Sequence, residues 1–503
     1  MSDQTLPSIP ALLREAVGLH QKGQLQAAQG LYRRVLEVAP RHFDALHLLG
    51  VIAKQQGEAE LAVRLISEAI EVDPAHAAAR CNLGAALQDL GRVEDALVSY
   101  EAATRLDPDH ALAFSNRGNA LRKLGRLDEA LRSYDRALAI RPDYPEAWCN
   151  RAILLQDLGQ AADALASAER ALAVRGNYAE ASRARGNALQ SLDRFEEALA
   201  SYDRALAIDG ASAETHCARG TALKRLGRLD QALVGYEHAL ALKPDYATAQ
   251  HYRANTLRDL GRKEEAVAAY RQALLLGADR EQVSFALASL GVGGVPAASP
   301  AGYVRDLFDQ YAGHFDEHLV GKLGYRTPAL LDAAIRSCCT VAKGDVLDLG
   351  CGTGLMGPYL RPLAMKLAGV DLSGKMLDKA RERGIYDQLE CGEIGAYLAT
   401  QRDAFDLVAA ADVLVYFGDL APLFGQVRAA LRSGGWFGFS VEACEDGDFV
   451  LRPSNRFAHS LDYVRRLAAA AGFQVRETQA AALRTENGAP VPGYLVVLRK
   501  LDR

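Results

Sequence analysis

What this sequence withholds narrows the field before any motif is read. No apolar run approaches the roughly 20 residues that span a bilayer. The opening stretch MSDQTLPSIPALLREA lacks the basic-then-apolar layout of a signal peptide. Its eight cysteines form no CxxC pair and no His–Cys cluster with zinc spacing, so no metal site is expected. Cys81, Cys149 and Cys217 lie 68 residues apart, a spacing better explained by repetition than by bridging. The expectation is a reduced, cytoplasmic protein. An excess of one charge is missing too: 58 Lys and Arg face 63 Asp and Glu, a net charge of −5. Residues 301–503 carry 23 against 25, which leaves 35 against 38 for residues 1–300. Neither part is basic, so neither nucleic acid nor a membrane is expected as partner.

The rest is ordinary soluble composition, 49% apolar and 24% charged. A length of 503 residues exceeds one core, so two or more domains are expected. Self-similarity then dominates the first 280 residues. Small residues recur every 34 positions, at Ala16, Gly50, Gly84, Gly118, Ala152, Gly186, Gly220 and Ala254. Twelve positions after each comes an alanine, from Ala28 to Ala266. Small side chains are required where two helices cross closely. Prolines close five units (Pro40, Pro74, Pro108, Pro142, Pro244), and tyrosines fill a further register, including Tyr32, Tyr100, Tyr134, Tyr202, Tyr236 and Tyr270. The inner turn reads LGR or a variant, with glycine where a helix would end.

This pattern resembles the tetratricopeptide repeat over residues 9–280, as eight units. The resemblance implies a right-handed solenoid of helix pairs with a concave inner face, closed by a capping helix over 281–290. Where such repeats usually carry leucine, five units have Arg117, Arg151, Arg185, Arg219 and Arg253. Either each packs its stem and pairs with carboxylates such as Asp128 or Glu197, or together they form a ladder for an acidic or phosphorylated segment. Five positions on, every unit is polar: His20, Lys54, Gln88, Arg122, Gln156, Gln190, Lys224 and Arg258. In similar repeats this register lines the concave face, which fits recognition of an extended chain; solvent exposure alone would also produce it.

The stretch GVGGVPAASP (291–300) breaks every periodicity and reads as a linker between the array (9–290) and a second domain (301–503). There DVLDLG, KLAGVDL, FDLVAAAD and WFGFSVE alternate with helices expected from about 354, over 373–383, near 419–432 and over 459–471. The end, FQVRETQAAL and YLVVLRK around NGAPVPG, reads as a hairpin, so the sheet is mostly parallel and doubly wound.

The run DVLDLGCGTG (345–354) ends in glycines that admit something to the backbone. No Lys-Ser or Lys-Thr pair follows Gly354, which excludes a triphosphate loop. The spacing is GxGxG rather than GxGxxG. Twenty-one residues after Gly350, Asp371 ends GVDLS, where a carboxylate grips ribose hydroxyls of a dinucleotide or S-adenosylmethionine alike. Together DVLDLGCGTG, GVDLS, FDLVAAADVL and LRSGGWFGFS resemble the ordered motifs of class I S-adenosylmethionine-dependent methyltransferases, an α/β Rossmann-like seven-stranded fold. Within that class, YVRDLFDQYAGHFDEHL (303–319) is similar to the entry helices of methyltransferases that follow tetratricopeptide arrays.

The resemblance implies S-adenosyl-L-methionine as cofactor and assigns roles by position. Asp348 would steady the loop and the methionine amino group; Gly350, Gly352 and Gly354 would admit the backbone, although Gly354 alternatively serves helix–strand packing. Asp371 would hold the ribose, with Leu372 and Met376 against the adenine, Met376 being equally explained as core. Glu393 stands where an Asp usually meets the adenine amine, beside the Ile394 backbone, and Asp412 and Val413 would lie beneath the sulfonium. Tyr311 is a candidate lid aromatic, or plain entry-helix packing. Tyr416 and His459 are candidate bases, needed only if the acceptor arrives protonated, and Arg452 and Arg456 candidate ligands for an acidic substrate. His459 alternatively caps a helix. The function expected is methyl transfer to an acceptor, or through a partner protein, docked on the concave face. The alternatives are a scaffold whose transferase-like domain binds the cofactor without turnover, and a small-molecule enzyme that uses its repeats for assembly.

Overall fold

The structure, a computed structural model, describes residues 8–313, 315–316, 319, 324–339, 343–486 and 489–502. Its contacts divide the chain into two compact units, Met1–Leu242 and Lys243–Arg503.

The first unit is a run of helix pairs from Ile9–Gln21 and Leu25–Val38 to Ala213–Arg225 and Leu229–Leu242. Two of the sequence registers turn out to be one contact. A methyl group at Gly118 would lie 2.6 Å from the Tyr134 ring, and one at Gly84 equally close to Tyr100. At Gly84, Gly118, Gly186 and Gly220 the small residue of the first helix therefore makes room for the buried tyrosine of the second, while Gly50 does the same for Ile66. Both of these hydroxyls are satisfied, Tyr134 donating to Asn119 at 2.7 Å and Tyr100 to Gln88 at 3.0 Å. The inner-turn glycines adopt positive φ, +72° at Gly125; where the motif reads SLDR, Asp193 takes φ +58° in their place.

The arginines join neighbouring repeats. Arg151 reaches Asp135 of the preceding second helix at 2.8 Å and Ser167 of its own at 2.6 Å. Arg185 does the same with Glu169 and Ser201, and Arg117 with Glu101 and Ser133. These are not the carboxylates expected from the sequence: Glu197 pairs instead with Arg194, one turn away. The polar register likewise bridges repeats, His20 meeting Gln55, Lys54 meeting Asp89 and Arg122 meeting Asp157.

The second unit opens with a further pair, Ala247–Asp259 and Lys263–Leu275, and the helix Arg280–Ser289. That last helix does more than close an array. Phe285, 3% exposed, packs on Tyr303 and Phe457 with ring centroids 5.4 Å and 6.3 Å away. The following segment is stitched to the α/β fold, the Ala297 carbonyl accepting from the amides of Gly418 and Asp419.

The sheet runs β3 (Gln388–Cys391), β2 (Ala364–Asp371), β1 (Gly344–Leu349), β4 (Phe405–Ala410), β5 (Leu431–Ala443), all parallel. β9 (Ala489–Lys500) then lies antiparallel on β5 and pairs with β8 (Phe473–Glu486). The seven-stranded core is as expected; two short strands, β6 (Phe449–Leu451) and β7 (Phe457–His459), extend the sheet from the end of β5. Helices cover both faces, Leu331 and Ile335 on one and Phe424 against Phe437 and Phe439 on the other.

Three expectations need correction. The helix after the glycine loop is only Gly357–Leu360, because Pro362 removes the donor that would extend it. The late helix starts at Leu461 with Ser460 as cap, so His459 lies in β7 instead. The terminal hairpin strands run on through most of the stretch read as turn, leaving only Asn487 and Gly488, which lie outside the described residues.

Candidate functional site

The C-terminal ends of β1, β2 and β4 open on one cavity of about 310 Å³. This is where a doubly wound sheet leaves a crevice, at the reversal of strand order beside β1. Of the residues singled out in the sequence, Asp348, Gly350, Gly352, Asp371, Leu372, Glu393, Ile394, Asp412, Val413, Tyr416 and Arg456 line it.

The glycines divide their work. Gly350, φ +62°, sits under Val413, whose Cγ2 lies 2.6 Å from where a Cβ would be. Gly354 faces Tyr386 and Arg383 at 3.0 and 3.1 Å, and it does not line the cavity; its role is packing. Only Gly352, φ +54°, has nothing within 4 Å of a hypothetical Cβ while also lining the cavity. The open backbone of the loop is concentrated there.

Asp371 is 8% exposed and already oriented: its oxygens accept the Gly352 amide at 2.8 Å and the Ser373 amide at 2.9 Å. Burial pushes its carboxyl up and these amides pull it back. Asp348 is held by the Tyr386 hydroxyl, which donates at 2.6 Å. Burial pushes Asp348 up to about 7, opposed by that hydrogen bond and aided by the nearby Asp371 charge. The Tyr386 ring fits because Gly354, Gly357 and Gly369 surround it.

Asp412 carries its own signature, a non-glycine residue at φ +63° whose amide donates to Ser440 Oγ at 2.8 Å. Its carboxylate receives Arg484 at 3.2 Å, and Arg484 also pairs with Glu442 and Glu486. Sequence reading missed this fully buried arginine in β8; a lone arginine within the apolar run AAALRTE was the available signal.

Several expected site residues lie elsewhere. Met376, in the helix Gly374–Glu382, is wholly buried and does not line the cavity. His459 is fully buried, bonded to the Gly418 carbonyl, and burial pushes it down to about 4; it is a neutral core histidine outside the cavity lining. Arg452 turns to Glu442 and the Ala443 carbonyl and does not line the cavity either. Tyr416 does line it, yet burial pushes its phenol up to about 12, which leaves it a donor and not a base at neutral pH. Tyr311 stays outside, and Phe308, Phe315 and Tyr325 supply the aromatic wall.

Known proteins resemble separate parts of this chain. A methyltransferase-domain model matches residues 347–439, and two tetratricopeptide-repeat models match segments between residues 13 and 282. A ubiquinone biosynthesis O-methyltransferase of Albidiferax ferrireducens is 32% identical over 122 residues, 23% of this chain and 48% of that protein. A trans-aconitate 2-methyltransferase of Paracidovorax citrulli is 32% identical over 29% of this chain and 52% of its own length. The chain thus spans about half the length of these relatives. Among solved structures, the APC/C hetero-tetramer Cut9–Hcn1 aligns with a TM-score of 0.43 at 17% identity, covering 55% of this chain and 54% of that one.

Proposed function

Because the chain joins tetratricopeptide repeats to a methyltransferase domain, we propose that it is an S-adenosylmethionine-dependent methyltransferase whose repeats dock the acceptor or a partner protein. The observation that carries this reading is the Asp371 carboxylate held at the tip of β2 beside the open backbone of Gly352. S-adenosylmethionine supplies a methyl group already activated on a sulfonium.

The chain's own groups then have a limited task. Asp371 accepts the ribose hydroxyls with the lone pairs that its two amide partners leave free. Gly352 lets the amino-acid end approach, and Asp348 receives its ammonium. Leu372 packs on the adenine, with Glu393 and the Ile394 amide at its edge. Asp412 and Val413 form the floor under the reacting centre, and the carboxylate of Asp412 is held back by Arg484. Alignment of the nucleophile and exclusion of water supply the rate, since no bond in the donor needs further activation.

Calorimetry with S-adenosylmethionine tests the donor site, and absence of binding by the intact chain would sink the reading. The docking role is tested separately. Labelled-methyl transfer to cell lysate by the full chain is compared with that of a chain lacking Met1–Leu242. Equal transfer would remove docking and leave the transferase.

A further inference from the structure

The cavity lining also holds groups not assigned to the donor, and they are of two kinds. One kind is aromatic: Phe308 packs edge-on against Phe315 at 5.9 Å and against Tyr416 at 5.6 Å between centroids, and Tyr325 joins them in lining the cavity. The other kind consists of hydrogen-bond donors. Ser299 Oγ is buried with no hydrogen-bond partner among the described residues. Its residue is fixed beside Tyr416, whose carbonyl accepts the Ser299 amide at 2.8 Å. Arg456 lines the cavity together with Tyr416, and its charge works against the rise that burial imposes on the Tyr416 phenol. It is steered by Glu486 at 3.1 Å and Glu442 at 3.6 Å, both through Nη1.

We propose that the methyl acceptor is an apolar acid: a carboxylate on an alkyl or aryl tail, its oxygens held by Arg456, Tyr416 and Ser299 and its tail laid against Phe308, Phe315 and Tyr325. This rests on the donor site proposed above. The donor's sulfonium draws a carboxylate and repels an ammonium, and Arg456, its charge balanced by Glu442 and Glu486, offers N–H donors that suit carboxylate oxygens. Charge-assisted donors match an acceptor with several lone pairs. Neither Tyr416, kept protonated by burial, nor Arg456, kept cationic by its carboxylate neighbours, takes a proton from the acceptor, and a carboxylate has none to give.

The step balances without a base. A carboxylate oxygen lone pair forms the O–CH₃ bond, the S–CH₃ bond breaks, and its electron pair returns to sulfur. One negative and one positive charge disappear, leaving a methyl ester and a neutral thioether.

The test uses the full chain in two stages. Calorimetry first measures S-adenosylmethionine binding, then, with S-adenosylhomocysteine present, binding of octanoate and phenylpropanoate against the amines and alcohols with the same tails. The acids should bind at least about tenfold tighter. Arg456→Gln should remove that preference while the donor Kd stays within about twofold. Ser299→Ala, which leaves the Arg456 ion pairs intact, should weaken acid binding by about threefold and guards against misfolding of the first variant. In the second stage, labelled donor is incubated with the same acids and with lysate, and the product is treated with alkali. Label released as methanol is the expected result, and its presence in the small-molecule or protein fraction tells whether the acid is free or carried. Donor binding together with alkali-stable label, with no transfer, or with no preference for acids, overturns the acid assignment alone. Failure of donor binding overturns the transferase reading beneath it.

Discussion

The Ser299 amide donates to the Tyr416 carbonyl at 2.8 Å, and Ala298 and Phe417 form an antiparallel bridge beside it. A segment that reads as linker is therefore an edge of the cavity wall. Its seat depends on Gly418, where a Cβ would lie 2.7 Å from Phe449 and Phe457 and 3.0 Å from the Pro296 carbonyl. Gly418→Ala should cost about 1–3 kcal/mol by overpacking. Urea unfolding followed through the second unit measures it; an unchanged midpoint would show that the segment yields.

In the proposed donor site, Asp371 is the group on which binding should turn. Losing charge-assisted hydrogen bonds to two hydroxyls, at about 1.5 kcal/mol each, should weaken S-adenosylmethionine about 100-fold in Asp371→Ala. The unbound variant should keep its fold by circular dichroism. A Kd within about threefold of the parent would contradict the assigned grip.

Donor affinity should also follow pH through Asp348. Its carboxyl is pushed up to about 7, so only above that pH is it fully available to an ammonium. Calorimetry between about pH 5.5 and about pH 8.5 should show affinity rising and levelling above the midpoint. Stability of the unliganded chain moves the other way. Between the ordinary value of 3.8 and about 7 the folded state keeps a proton the unfolded state has released, so stability falls as pH rises across that window. Tyr386→Phe removes the hydrogen bond that lowers this carboxyl, so the affinity midpoint should move upward. A midpoint that stays put would assign Tyr386 to packing alone.

Phe285 belongs energetically with the α/β fold. Its ring is 3% exposed between Tyr303 and Phe457, so Phe285→Ala should destabilise the second unit by about 3–5 kcal/mol. A truncation at residue 290 should for the same reason melt lower than one at Leu242. Equal melting temperatures would contradict this.

Within the repeats, Gly118→Ala drives a methyl group into the Tyr134 ring from 2.6 Å away. A cost of about 1–3 kcal/mol is expected in urea melts of the full chain. Gly125→Ala tests a different penalty, since nothing lies within 4 Å of its Cβ position and only its φ of +72° resists; about 1 kcal/mol is expected there.

Much of the fold and half of the site could be read from the chain. The 34-residue registers located every helix pair, and the tips of β1 and β2 were named with their carboxylates. Misplacements cluster where burial depends on distant segments. Met376 and His459 have residue types that suit a site, but one is wholly buried in its helix and the other lies in β7, a strand with no hydrophobic alternation long enough to announce it. Arg484 escaped notice because its partners Asp412 and Glu442 are 72 and 42 residues away.

The sequence by itself determined what is periodic or local: paired helices, parallel strands, a glycine bend and a carboxylate at each of two strand ends. Such features follow from side-chain size, φ preference and spacing along a few turns of chain. Tertiary structure alone decided which of three glycines leaves open backbone, which of two arginines enters the cavity, and that a glycine-rich connector forms its wall. Those outcomes depend on which atoms arrive from elsewhere in the fold, and no short-range pattern encodes them.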